Sequence, residues 1–219
     1  MPAGLFLTFE GLDGSGKSTQ CRLLRDRLAA RGYPVTAIRQ PGGTRMGDSI
    51  RGLLLDSRKE SPSPHTELAL MFADRAQAVS EVIRPALEEG HIVLCDRFTD
   101  STEAYQGGGR RLGSRIVLEL HGLLCGGLQP DLTLLLLPDF DRCLARARQR
   151  NARAAGATGQ DENRFEAEDS AFFRRVFEAY REIARREPGR VAEFGEGSIE
   201  EIHRRIAETV EPRLAAVRG

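Results

Sequence analysis

Lysine is almost missing from this chain: of its 32 basic side chains only Lys17 and Lys59 are lysines, and the rest are arginines. Net charge is missing as well. The 32 acidic residues bring the formal charge to zero, which excludes a protein that coats nucleic acid or an anionic membrane by bulk electrostatics. Any anion it binds has to be met by a specific site. No stretch reaches the roughly 18 apolar residues that a membrane span needs, and the opening MPAGLFLTFEG has no basic segment before its short apolar run, so a cytoplasmic protein is expected. Four cysteines (Cys21, Cys95, Cys125, Cys143) lie far apart with no C-x-x-C pair, which disfavours a zinc site or a disulfide framework and predicts reduced, mostly buried thiols. The four histidines are equally scattered. With neither a repeat period nor a Gly/Ser linker, residues 1–219 read as one domain.

What is present is an alternation of short apolar runs with longer stretches of helical period, the pattern of β-α-β units and a mainly parallel sheet. Strands are expected over 5–9, 35–39, 92–96, 132–137 and 191–194. Helices are expected over 17–30, 67–89 (bent near Pro85), 114–124, 140–150, 167–186 and 198–215. Residues 151–163, NARAAGATGQDEN, hold no long apolar side chain and read as a mobile loop or lid.

Residues 11–18, GLDGSGKS, match G-x-x-x-x-G-K-[ST] between an apolar strand and an amphipathic helix. Glycines allow a ring of inward N–H groups (Gly11, Leu12, Asp13, Gly14, Ser15, Gly16), and the next helix adds its positive end, so a polyphosphate is favoured. Lys17 would reach the β- and γ-phosphates and Ser18 the Mg²⁺. A lysine in a chain that otherwise uses arginine strengthens the reading, because a point-charge ammonium fits a phosphate nest where a planar guanidinium does not. The motif alone leaves GTPases, motors, transporters and small-molecule kinases open.

Further segments resemble the bacterial thymidylate kinase family: FEGLDGSGKSTQ (9–20), RQPGGT (39–44), LLLDS (53–57), ADRAQ (73–77), VIRPAL (82–87), DRFTDSTEAYQGGGR (96–110) and PDLTLLL (130–136). The resemblance implies an α/β P-loop NTPase fold, a three-layer sandwich with a five-stranded parallel sheet flanked by helices, and a lid at about 146–166. It implies ATP- and Mg²⁺-dependent phosphorylation of dTMP to dTDP for dTTP synthesis, by a homodimer acting on small nucleotides, without nucleic acid or membrane. Another nucleoside or nucleoside-monophosphate kinase, or a non-kinase P-loop ATP-binding switch, is the alternative.

By the same resemblance Asp13 meets the sugar 3′-hydroxyl, and Arg75 and Arg97 hold the acceptor's 5′-phosphate. Ser101, Thr102, Tyr105 and Gln106 wall the thymine and sugar, Pro41 lies alongside, and Asp96 joins Ser18 at the metal. From spacing alone Arg75 reads equally well as a solvated helix residue, and the lesser alternative for Asp13 is a turn aspartate capping its own loop. Arginines 142, 146, 148, 150 and 153 flank the expected lid with no acid from 142 to 160, and Arg148, Arg150 and Arg153 are the candidates to close on the γ-phosphate, with Arg164 beyond them. Gly14 follows Asp13 where one family branch has an arginine, so this chain resembles the branch whose catalytic arginine is in the lid. It departs from the family pattern at Gln40 (usually glutamate), Met71 (usually a phenylalanine that stacks on the base, with Phe72 next to it as the other candidate for that contact), Asn163 (usually aspartate) and the inserted AAGATGQ.

Overall fold

The computed structural model describes residues 4–56, 58, 60–154 and 164–215; of residues 147, 148, 150–154, 166 and 167 it describes the backbone only. Five strands, β1 (Leu5–Glu10), β2 (Val35–Arg39), β3 (Ile92–Asp96), β4 (Leu132–Leu136) and β5 (Val191–Phe194), pair in parallel in the order β2-β3-β1-β4-β5. Helices cover both faces, as a parallel sheet of near-continuous apolar strands requires. They are α1 (Lys17–Ala30), α2 (Arg45–Leu55), α3 (Pro64–Ala78), α4 (Arg84–Glu88), α5 (Thr99–Thr102), α6 (Ser114–Cys125), α7 (Phe140–Ala154), α8 (Ser170–Arg186) and α9 (Ile199–Leu214).

The period of two in β1 sorts its side chains. Leu5, Leu7 and Phe9 pack with Leu24 and Leu28 of α1 and Ile206 and Val210 of α9. Phe6 turns to the opposite face and packs with Leu68, Phe72 and Phe98. Leu7, Phe9, Leu94 and Leu134 are fully buried, each contributing ~1.5–3 kcal/mol. Thr8 is a polar residue inside this core, satisfied because its Oγ1 lies 2.9 Å from Thr133 Oγ1. A third cluster, under α8, gathers Tyr105, Leu135, Phe172, Val176 and Tyr180.

Five features of the sequence reading need correction. The helix expected over 67–89 starts earlier, at Pro64, because Ser63 accepts from the Thr66 N–H and proline suits a first turn. It then widens into i→i+5 turns over Val79–Ile83 and resumes α geometry at Arg84, just before Pro85, whose missing N–H breaks the regular ladder. Helix α2 was not foreseen: Thr44 caps it by accepting from Gly47 N–H at 2.9 Å, and Ile50, Leu54 and Leu55 bury its inner face. Residues 99–109 are also helical, the last seven as wide turns. The expected loop over 151–163 begins within α7, which runs to Ala154; residues 155–163 lie outside the described residues. Helix α8 begins at Ser170, capped by Asp169, after a tight 3₁₀ turn over Arg164–Ala167.

Candidate active site

β1 and β3 lie side by side, and both chains leave the sheet at its carboxyl edge, where open α/β sheets bind ligands. After β1 the backbone turns through Gly11, Gly14 and Gly16, all at positive φ. At Gly11 a Cβ would stand 2.1 Å from the Leu136 carbonyl oxygen, so no other residue fits there. Lys17 opens α1, is buried, and donates to the Leu12 carbonyl at 2.7 Å across the loop. Burial, with the charge of Arg97 adding to it, lowers the Lys17 pKa to about 8. An ammonium held this way gains on meeting a polyphosphate. Ser18 donates to Asp96 Oδ2 at 2.8 Å, which joins the helix start to the end of β3.

Arg97 follows β3 with φ of 73°, and its N–H donates to Phe9 O at 3.0 Å. Its guanidinium spans the site. Nη2 donates to Asp13 Oδ1 at 2.8 Å, while Nη1 reaches Gly11 O at 3.1 Å and Ser101 Oγ at 3.0 Å. The Tyr105 ring lies beneath it at 5.0 Å, and the Tyr105 hydroxyl donates to Asp13 Oδ2 at 3.2 Å. Asp13 of the phosphate loop and Arg97, Ser101 and Tyr105 of the 96–110 segment therefore form one constellation.

Arg75 belongs to a second, deeper group. It is 2% exposed, lies between the Phe72 and Phe98 rings, and donates to Gln40 Oε1, Phe98 O and Thr102 Oγ1. Its Nη1 has no partner among the described residues. Thr102 thus serves Arg75, and Pro41 O accepts from Arg51. Met71 shares a cluster with Tyr105 and Phe165, whereas Phe72 lies under the sheet with Phe6 and Phe98. Of the two candidates beside the base, Phe72 supports Arg75 from within the core.

Gln106 donates to Glu67 at 2.8 Å. Glu67 is fully buried and also pairs with Arg110 at 3.1 Å and Arg164 at 2.8 Å. Arg164 is further tied to the Leu54 carbonyl. Arg164 is thus turned into the protein, with Nη2 beside Glu67 and Nε on the Leu54 carbonyl. Arg142 pairs with Glu196 at the surface. Arg148, Arg150 and Arg153 fall on the last turns of α7, and their side chains lie outside the described residues.

Sequence reasoning missed Glu10, Tyr180, Glu67 and Arg110. Glu10 is fully buried at the end of β1 and accepts from Phe98 N–H at 2.7 Å, from Ser101 Oγ, and from Tyr180 Oη at 3.1 Å. Burial pushes its carboxyl pKa up and Asp100 adds to this; Ser101, Arg97 and the Phe98 N–H oppose it. A signal was available in β1, whose alternation sends Glu10 to the same face as Thr8 and away from Phe9. Among the described residues no group of three or more His, Cys, Asp or Glu could hold a metal ion, no helix is long and apolar enough to cross a membrane, and all four cysteines are free.

A phosphate loop opening a parallel sheet, with the Arg97 and Arg75 guanidiniums gathered at the end of the neighbouring strand, defines a P-loop phosphotransferase of the nucleoside-monophosphate kinase type. Comparison with known proteins makes this particular. The sequence model of the thymidylate kinase family matches residues 9–206, and the chain belongs to that family. It is 50% identical over 213 residues to the thymidylate kinase of Pelobacter propionicus, covering 96% of each chain, and 52% identical over 190 residues to that of Desulfovibrio desulfuricans, covering 86% of each. A crystal structure of thymidylate kinase from Ehrlichia chaffeensis superposes with a TM-score of 0.76 at 30% identity, over 96% of this chain and 99% of the other.

Proposed function

We propose that the protein transfers the γ-phosphoryl group of ATP to dTMP, giving dTDP on the route to dTTP. One observation carries this reading beyond nucleotide binding: a single guanidinium, that of Arg97, touches the phosphate loop at Gly11 and Asp13 and the second pocket at Ser101. Transfer between two polyanions needs positioning and charge neutralisation more than covalent help, and a cation shared by both pockets supplies both. Lys17 and the loop N–H groups hold the donor phosphates. Arg97 takes the acceptor's 5′-phosphate with Arg75 as the second cation, Asp13 orients the sugar, and Met71, Thr102, Tyr105 and Gln106 bound the base.

Ser18 and Asp96 suit Mg²⁺ carried by the nucleotide: two hard oxygens 2.8 Å apart at an open loop leave room for water and phosphate oxygens, which supply most ligands of this ion. When bound, Mg²⁺ neutralises phosphate charge. Arg148, Arg150 and Arg153 supply the closing cations from a lid over 146–166 of one catalytic domain. Leu118, Leu123 and Leu124, all exposed on α6, support a homodimer through that helix. The free thiols support a cytoplasmic setting.

Steady-state assays across dTMP, dUMP, UMP, CMP, AMP and GMP test the substrate. dTMP should give the highest kcat/KM; a ribonucleotide preferred over it would point to another monophosphate kinase. ATP turnover indifferent to all six would point to a switch.

A further inference from the structure

Beside Arg97 Nη1, the atom that also reaches Gly11 O, three oxygens converge. Ser101 Oγ and Tyr180 Oη lie 2.8 Å apart, both donate to Glu10 Oε2, and both lie within reach of Arg97 Nη1, at 3.0 and 3.4 Å. Glu10 Oε1 meanwhile accepts the N–H of Phe98, the residue next to Arg97. A hydroxyl has one proton. If the carboxylate takes the protons of Ser101 and Tyr180, their lone pairs are left facing the guanidinium. Arg97 is thus framed on one edge by Asp13, at 2.8 Å, and on the other by two hydroxyls whose direction Glu10 sets. Its backbone is held on the same carboxylate, one residue away, despite a left-handed φ of 73°.

We propose that Glu10 and Tyr180 are positioning residues for the acceptor phosphate, acting through Ser101 and Arg97. Tyr180 comes from α8, a helix that contributes no other residue to the site, so the second pocket depends on a layer of the fold that sequence motifs do not mark. The inference rests on the assignment of Arg97 to the acceptor's 5′-phosphate.

Four variants test it: Tyr180→Phe, Glu10→Gln, Arg97→Lys, and Tyr180→Phe combined with Arg97→Lys. Tyr180→Phe removes one oxygen and keeps the ring, so it remains informative if Glu10→Gln does not fold. Tyr180→Phe is expected to raise the KM for dTMP about tenfold, equivalent to ~1.4 kcal/mol, with the KM for ATP unchanged. Thymidine, which has the same base and sugar without the phosphate, should inhibit with an unchanged Ki. In the Arg97→Lys background the second substitution should add less than about twofold, because residues acting as one unit are not additive. A purely structural role would lower kcat and leave both KM values alone. An unchanged dTMP KM in Tyr180→Phe, an equal rise in the ATP KM or thymidine Ki, or full additivity with Arg97→Lys overturns the inference while the role of Arg97 stands. If Arg97→Lys itself leaves the dTMP KM unchanged, the assignment of Arg97 falls and takes the inference with it.

Discussion

Arg75 donates its Nε–H to Gln40 Oε1 at 3.0 Å, and every other hydrogen-bond partner of this buried guanidinium is also neutral. Burial accordingly lowers the Arg75 pKa. The family pattern has glutamate at position 40, so this chain holds a buried cation by ring faces and carbonyl oxygens. Gln40→Ala would leave a charged buried donor unpaired and should cost ~1–3 kcal/mol of unfolding free energy, with a raised dTMP KM. Urea denaturation and acceptor titrations check both; an unchanged midpoint would show that the Phe72 and Phe98 faces suffice.

Lys17 should separate activity from stability. Lys17→Met keeps volume, removes the ammonium, and is expected to lower kcat/KM by several orders of magnitude. The same change removes a buried charge whose pKa is lowered from 10.5 to about 8, a cost on the order of 3 kcal/mol near neutral pH. The inactive variant should therefore melt at least as high as the parent. Calorimetry alongside assays decides it; near-normal activity would refute the phosphate-loop assignment.

Two buried groups act on stability in opposite directions with pH. Burial raises the Asp74 pKa from 3.8 to about 6, so the native state keeps a proton that the unfolded chain has released, and stability falls as pH rises through that window. Burial, aided by the charge of Arg75, lowers His121 from 6.5 to about 4; here the unfolded chain binds the extra proton, and stability rises with pH over nearly the same range. The two largely cancel in the parent. Asp74→Asn keeps an acceptor for the Gly42 N–H, which Asp74 Oδ1 meets at 2.7 Å, and removes the falling arm. Urea midpoints between about pH 4 and 7 should then climb steadily, with a gain on the order of 1–3 kcal/mol at neutrality. Parallel curves for parent and variant would exclude Asp74 as the source.

Arginines around the expected lid divide by their partners. Arg150→Ala with Arg153→Ala should depress kcat on the order of 10³-fold with little change in dTMP KM, the signature of cations acting on the transferring group. Arg164→Ala should instead destabilise the protein, since Arg164 is paired with buried Glu67 at 2.8 Å. Single-turnover kinetics and thermal melts separate the two; a selective kcat loss at Arg164 would reverse the assignment.

The five strands were legible because each is an apolar run with few charges. Leu5 to Phe9 and Ile92 to Asp96 read correctly for the same reason that they lie in the middle of the sheet. Helix α2 was not, since RMGDSIRGLLL opens with charge and carries two glycines, and only its Thr44 cap and late leucines mark it. The site was legible where chemistry is local, as in the phosphate loop and at Asp96-Arg97. It was not legible where partners are brought together by the fold. Glu10 and Tyr180 stand 170 positions apart, and nothing in composition distinguishes buried Arg164 from the exposed Arg142 and Arg146 before it.

The Phe9–Asp96 register gives the sheet a further use as a ruler. The loops that follow β1 and β3 spring from adjacent strand ends, pinned by the Arg97 N–H on Phe9 O, so their starting points are one ladder rung of about 4.8 Å apart. Side chains on either loop can change while the hydrogen-bond ladder keeps the two loop origins at a constant pitch.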